Sequence, residues 1–216
     1  MKLFSCGMCG STVHFDSIRC ENCGTQLGFA PDICEAAVFA DDSGFARDRH
    51  GGRWRRCAHN TPDEGCNWLV AESDDDPWCR SCRLNRVIPD LSDSRNPDLW
   101  KRLEEEKRRF VYSALRLGLP IMPRSHDPQG LAFDFLADGP GFSERVLTGH
   151  AGGLITINIA EADPVERERM RQEMDEPYRT ILGHFRHESG HYYWDRLVRD
   201  TALLEPYRAL FGDERA

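Results

Sequence analysis

The sequence is short of lysine, has no cysteine after residue 82 and contains no apolar run long enough to cross a bilayer. Only three of its 28 basic residues are lysine, the other 25 being arginine, and 36 acidic residues outnumber them for a formal charge of −8. In a chain this acidic, the one basic–aromatic cluster, Arg53, Arg55 and Arg56 beside Trp54, is offset by Asp63, Glu64 and Asp74 to Asp76, so nucleic acid is not an expected partner. No window approaches the roughly 18 consecutive apolar residues of a membrane helix, so no membrane partner is expected either. The first residues, MKLFSCGMCG, reach cysteine with no apolar stretch before it. That excludes the pattern of an export signal and points to the cytoplasm. A mean hydropathy of −0.58 with 40% apolar residues describes a folded, soluble chain rather than a disordered acidic one.

What the sequence has in excess is cysteine, nine in the first 82 residues, while five of the eight histidines follow residue 120. In a reducing compartment disulfides do not persist, so clustered cysteines read as metal ligands. Cys6-Gly7-Met8-Cys9-Gly10 and Cys20-Glu21-Asn22-Cys23-Gly24 are two CxxCG knuckles. The two-residue spacer turns both thiolates toward one tetrahedral ion, and the following glycine takes the positive φ of the turn. The intervening residues 11–19 alternate as a short hairpin would. A second set, Cys57, Cys66, Cys79 and Cys82, has one true knuckle (Cys79/Cys82) and a loose pair, so His59 is an alternative to Cys57 or Cys66. Cys34 is the odd thiol, expected to pack as a small apolar side chain. Few aliphatics accompany these cysteines, so the ions are expected to serve as the core of residues 1–92.

Pro89–Ser94 reads as a linker, and charge does not distinguish its two sides, each being −4. Beyond it, Asn96-Pro97 opens a helical pattern through Leu99, Trp100, Leu103, Phe110, Val111, Ala114 and Leu115, closed by Pro120 and Pro123. Residues 131–135, 144–148 and 154–160 read as strands, with a turn at 149–153 between the last two. A polar helix follows over 164–174, then a helix from Pro177 to about Arg199. Strands followed by helices give an α+β class, with domains at 1–92 and 93–216.

The last helix carries His187-Glu188-Ser189-Gly190-His191. Histidines at i and i+4 share a helix face and can reach one zinc, with Glu188 beside them to take a proton from water. This composition yields an HExxH match by chance about 0.02 times. Tyr178, Ile181, Leu182, Phe185 and Tyr192 fall on one face as a core stripe. His184, His187, His191 and Asp195 fall on the adjacent face.

In the stretches CNWLV (66–70), CRSCRLNRVIPDLSD (79–93), RRFVYSALRLGLP (108–120), GLITINIAEAD (153–163) and EPYRTILGHFRHESGHYYWD (176–195), the sequence resembles a bacterial family of zinc-binding metallopeptidases with an N-terminal zinc-ribbon domain. The resemblance implies a double zinc-ribbon region followed by a zincin-like domain, a small antiparallel-containing sheet plus the HExxH helix. It implies Cys57, Cys66, Cys79 and Cys82 in the ribbon, His187 and His191 as zinc ligands and Glu188 as catalytic acid/base. It also implies a chain that continues past Ala216, so the domain over 93–216 is expected to be incomplete at its C-terminus.

A catalytic zinc needs a third protein ligand, and the familiar spacings place Leu197 and Phe211 there. Asp195 lies too far along a straight helix to share the ion and reads as a carboxylate orienting an imidazole. Glu205, Asp213 and Glu214 are the weaker candidates. The expected cofactors are two structural zincs and one catalytic zinc. The expected activity is peptide-bond hydrolysis of a peptide or protein substrate, with the strand at 154–160 as the edge that pairs with it. A protein partner at the ribbons is a further expectation. The alternative is a non-catalytic ribbon module for protein binding, on a degenerate or truncated zincin scaffold.

Overall fold

A glycine after each knuckle lets the chain reverse at the tip of a hairpin. In the computed structural model, which describes residues 3–41, 43–61, 65–139 and 146–215, β1 (Phe4–Ser5) and β2 (Thr12–Val13) pair antiparallel on either side of Cys6–Cys9. Arg19 bridges Gln26 in the same way around Cys20–Cys23. The Gly10 N–H donates to the Cys6 carbonyl at 2.9 Å and the Gly24 N–H to that of Cys20 at 2.8 Å, with φ +73° at both glycines. A Cβ would strain that conformation. Each hairpin therefore surrounds a knuckle. The hairpin expected within 11–19 is replaced by β2 and a turn in which Ser17 N–H donates to the His14 carbonyl at 3.1 Å.

The cysteine-rich segment also has a core of its own, contrary to the expectation that ions alone would supply one. Strands β3 (Gln26–Ala30), β4 (Glu35–Phe39), β5 (Ala46–Arg47), β6 (Arg53–Arg56) and β7 (Leu69–Ala71) form an antiparallel sheet in chain order. The sheet curls until Phe29 of β3 donates its N–H to the Asn67 carbonyl at 2.9 Å, just before β7. That closure requires Gly28, since a Cβ there would lie 2.5 Å from a Leu69 methyl. Leu27, Phe29, Trp54, Trp68 and Leu69 are buried within it. Few aliphatics are needed because large aromatics fill the space.

Helix α1 (Asn96–Arg116) packs in this first unit, which comprises residues 1–85 and 90–121. Tyr112 meets the rings of Phe4, Phe15 and Phe29 at centroid distances of 6.4, 5.2 and 5.6 Å. Asn96 is helical rather than the cap, and its side-chain amide donates to the Asp90 carbonyl at 2.8 Å. The helix stops at Gly118, φ +67°, before either proline is reached.

The second unit comprises residues 86–89 and 122–216. Its sheet runs β10 (Gly149–Ala151), β11 (Leu154–Asn158), β9 (Ala132–Leu136) and β8 (Asn85–Val87), with β10 antiparallel and β9 parallel to β11. Of the strand expected over 144–148, Glu144 and Arg145 lie outside the described residues and 146–148 form no strand, being tied instead to the Asn158 side chain and backbone. Pairing starts instead at Gly149, because Gly152 and Gly153, φ +53° and +87°, close a two-residue turn. Helix α2 (Pro164–Glu173) is capped by Asp163, whose side chain accepts from Val165 and Glu166 N–H at 2.7 and 3.2 Å. Helix α3 spans Ile181–Tyr193 and α4 Leu204–Phe211.

Helix α3 begins four residues later than Pro177 suggests, because Thr180 caps it by accepting from Gly183 N–H at 3.0 Å. Its far end widens into a π-helical turn over Trp194–Val198 rather than running on to Arg199. The buried side chains are Phe185, Ser189 and Tyr192, while Tyr178 precedes the helix and is exposed. Phe185 rests on Phe133 and Phe135 of β9 at 5.5 and 6.2 Å. No helix among the described residues is long and apolar enough to cross a membrane.

Buried ion pairing anchors the start of α3. Glu161 accepts from Arg179 at 3.1 Å through Nε, with a second bond from Nη2, and meets His184 Nδ1 at 3.3 Å. Burial would raise the Glu161 carboxyl, but the His184 ring beside it and the hydrogen bonds from Arg179 hold it below the usual range. A carboxyl so depressed contributes stability above its unfolded pKa and loses it as pH falls through the folded one. Glu161→Gln is therefore expected to lower stability by about 1.5–3 kcal/mol at pH 7. In urea titrations the difference from wild type should shrink as the pH is taken into the acid range. Trp68, fully buried between Phe15 and Phe29, gives a second test. Trp68→Ala should lower the denaturation free energy of the first unit by about 3–5 kcal/mol.

Candidate metal centres

Four sulfurs around a tetrahedral zinc, each about 2.3 Å from it, stand about 3.8 Å apart. Cys6 and Cys23 are 3.7 Å apart, Cys9 and Cys20 3.6 Å, Cys66 and Cys79 3.7 Å, and Cys66 and Cys82 3.6 Å. In each set of four the ligand atoms lie within 4.8 Å of one another. A disulfide would bring two sulfurs to about 2.05 Å, and all nine cysteines are free thiols. Cys6, Cys9, Cys20 and Cys23 thus form one candidate centre, and Cys57, Cys66, Cys79 and Cys82 the other. His59 serves through its backbone, its carbonyl accepting from Cys66 N–H at 3.0 Å. Cys34 belongs to neither set. It is half-buried at φ +51° in the turn after β3, its thiol donating to the Pro31 carbonyl at 3.4 Å, so it is a turn residue rather than core packing.

The two centres differ in exposure. Cys9 and Cys23 of the first are exposed, whereas all four sulfurs of the second are buried. Hydrogen bonds from the Ser11 side chain and backbone pull the Cys9 thiol down to about 5, and burial pushes that of Cys6 up to about 11. In the second set, hydrogen bonds from Cys66, Cys79 and Cys82 hold Cys57 far below the ordinary thiol range. Burial raises Cys79, and hydrogen bonds from Cys57, Cys66 and Cys79 raise Cys82. Without a dication the sulfurs compete for ionisation, and a bound dication removes that competition by taking all four as thiolates.

On α3, His187 and His191 lie one turn apart and exposed, with Glu188 half-buried beside them. Their Nε2 atoms are 3.3 Å apart, with ring planes 86° to each other. Two nitrogens at about 2.0–2.1 Å from a tetrahedral zinc would be separated by about 3.3 Å. His150 of β10 stacks on His191 at a centroid distance of 5.8 Å. Its Nε2 accepts from Gly153 N–H at 3.0 Å, and burial lowers its pKa. A neutral His150 therefore carries its proton on Nδ1.

Among the described residues no cysteine, histidine or carboxylate joins His187 and His191 as a third member of such a group. The candidates are engaged by arginine instead. Asp195 pairs with Arg199 at 3.0 Å, Glu205 and Glu214 with Arg208 at 3.3 and 2.7 Å, and Asp213 with Arg215 at 2.7 Å. His184, on the expected ligand face, faces Glu161. The expected edge strand is corrected as well. β11 lies inside the sheet, and among the described residues the outer strand is β10, beside α3. Sequence reasoning missed the Glu161–Arg179 anchor, for which the only signal was an arginine immediately before the Thr180 cap.

Comparison with known proteins accords with this division of labour. Residues 3–93 match the model of a zinc-ribbon domain, and residues 96–216 match that of the family described as "Putative zinc-binding metallo-peptidase". An uncharacterised protein of Mycobacterium tuberculosis (strain H37Rv) and one of Mycobacterium bovis are each 40% identical over 218 residues, covering the whole of this chain. The chain spans about 60% of the length of these relatives. No solved structure matches it. With more than half of its length matched by the peptidase model, the chain belongs to that zinc-binding metallo-peptidase family and carries a zinc-ribbon domain ahead of it.

Proposed function

We propose that the chain contributes to a zinc-dependent peptidase, with His187 and His191 as ligands and Glu188 as general base. The observation that carries this reading is the 3.3 Å separation of the two Nε2 atoms on one helix face, with a carboxylate next to them. Zinc bound there would supply Lewis acidity, lowering the pKa of water and polarising a substrate carbonyl. Glu188 takes the proton of the attacking water and returns it to the leaving amine. An extended peptide adds to the open edge of β10, which sets its scissile bond near the motif. His150 Nδ1–H, on the ring stacked against His191, is a donor on that strand for a developing oxyanion.

The two tetrathiolate centres are structural in this reading, and the ribbon offers a surface for a protein partner. The thiol-rich composition suits the cytoplasm. A second reading, a ribbon module without catalysis, draws on the pairing of every downstream carboxylate candidate with arginine.

Two measurements separate the readings. Native mass spectrometry of the zinc-loaded chain is expected to give three ions, two of them surviving mild chelation. The double variant His187→Ala/His191→Ala should lose only the labile one, whereas unchanged stoichiometry would favour the binding module. In a peptide-library cleavage assay, Glu188→Gln is expected to reduce turnover by about 10²–10⁴-fold at unchanged zinc content. Equal cleavage by the variant and wild type would remove Glu188 from the mechanism.

A further inference from the structure

The buried stripe of α1 is interrupted by charge. Between Trp100 and Leu103 on one side and Val111 and Ala114 on the other lie Glu104, Lys107 and Arg108, exposed by only 2%, 0% and 3%. The Glu104 carboxylate accepts from Lys107 Nζ and from Asn85 Nδ2, the latter at 3.2 Å, and Lys107 also donates to Asn85 Oδ1. Arg108 Nη1 stands 3.8 Å from the same carboxylate, and among the described residues neither its Nε nor its Nη1 finds a hydrogen-bond partner. Two buried cations thus meet the same carboxylate. An unpaired buried charge costs several kcal/mol, so this arrangement calls for further negative charge close by.

The second cysteine centre lies next to it. Cys82 Sγ is 3.9 Å from Glu104 Oε2, and the field of Cys66, Cys82 and Cys79 acts on Arg108 together with that of Glu104. Four neutral thiols would leave Arg108 facing a carboxylate that it shares with Lys107. Four thiolates around a dication carry two negative charges, which gives the Arg108 guanidinium the anionic surroundings that its burial requires. We infer that Arg108 is the internal counter-cation of a zinc centre at Cys57, Cys66, Cys79 and Cys82, lying beside the Glu104–Lys107 pair. The ribbon's inner ion and the first helix of the peptidase-family segment therefore stabilise each other. The inference rests on zinc at the cysteines and is independent of hydrolysis.

The partly exposed centre at Cys6, Cys9, Cys20 and Cys23 provides an internal control. In the full chain carrying His187→Ala/His191→Ala, so that only cysteine sites hold zinc, release to a chromogenic chelator should be biphasic. Cys9→Ser identifies the fast, exposed phase. Arg108→Met is expected to speed the slow phase by about 10–100-fold, as loss of a group supporting metal ligands does, and to leave the fast phase unchanged. Arg108→Lys should retain most of the wild-type slow phase, since it keeps the charge. Glu104→Gln should leave that phase unchanged or slower, since it removes the anion nearest Cys82. A wild-type slow phase in Arg108→Met overturns the inference. So does a slow phase accelerated alike by Arg108→Lys and Glu104→Gln, which is what a packing role would give. If Arg108→Met does not fold, these last two variants decide the matter alone.

Discussion

Four sulfurs cannot be held 3.6–3.7 Å apart in a buried site as anions without a dication among them, and much of the first unit is arranged around that requirement. Cys57 follows β6 and Cys66 precedes β7, so the inner centre closes the base of that strand pair, where Cys57 N–H donates to the Trp68 carbonyl at 3.3 Å. Cys79 and Cys82 bring in the chain that leads toward β8. Trp68, at the same base, supports the aromatic packing that closes the curled sheet. Sheet closure, aromatic core and the seat of α1 thus converge on one set of ligands.

The exposed centre uses the same local chemistry for a narrower task. Its two knuckles repeat one another in hydrogen bonding, φ and spacing, with Ser11 and Thr25 in equivalent positions after each glycine. The Cys6 N–H donates to the Ser11 carbonyl and the Cys20 N–H to that of Thr25. Both side-chain hydroxyls depress the thiol next to them, Ser11 that of Cys9 and Thr25 that of Cys23. Hydroxyls and water can balance charge at a half-open site, whereas a fully buried one needs a protein cation. The two centres therefore differ in their surroundings although their ligand sets are chemically the same.

What the sequence made legible follows from how local each signal is. The knuckle glycines, the polar helix that starts at residue 164 and the i, i+4 placement of His187 and His191 on one helix depend on residues within a turn or two of one another, and the structure keeps all of them. The curled sheet was not legible, because β5 is two residues long and β3 closes through Phe29 against Trp68, a partner 39 positions away. Helix α1 was legible as a helix but not in its function. Its charges at 104, 107 and 108 sit on the apolar periodicity and look like errors in the stripe until the thiolates beside them are counted. Packing also crosses the boundary at 92/93 that composition suggests and that the two family matches follow. Trp100, Tyr112 and their neighbours on α1 fold with the residues before the linker. Periodicity says that a helix has a buried face, but not which segment will cover it.

The motif helix shows a related limit on reasoning from spacing. From Thr180 to Tyr193 the α-helical repeat holds, and it sets His187 and His191 on an exposed face opposite the buried Phe185, Ser189 and Tyr192. Beyond Tyr193 the π-helical turn adds a residue to the repeat, so positions counted at 3.6 per turn no longer fall where a straight helix would put them. Asp195, four residues after His191, lies within that turn and is taken by Arg199. Leu197, the position a metzincin spacing would assign to a ligand, lies in it too. The turn thus diverts the chain's downstream groups from the two imidazoles and leaves β10, with His150 stacked on His191, as their described neighbour. In the proposed hydrolytic reading this would be a favourable division, with the helix presenting ligands and base from one side and the outer strand among the described residues, β10, next to it to pair with an extended chain.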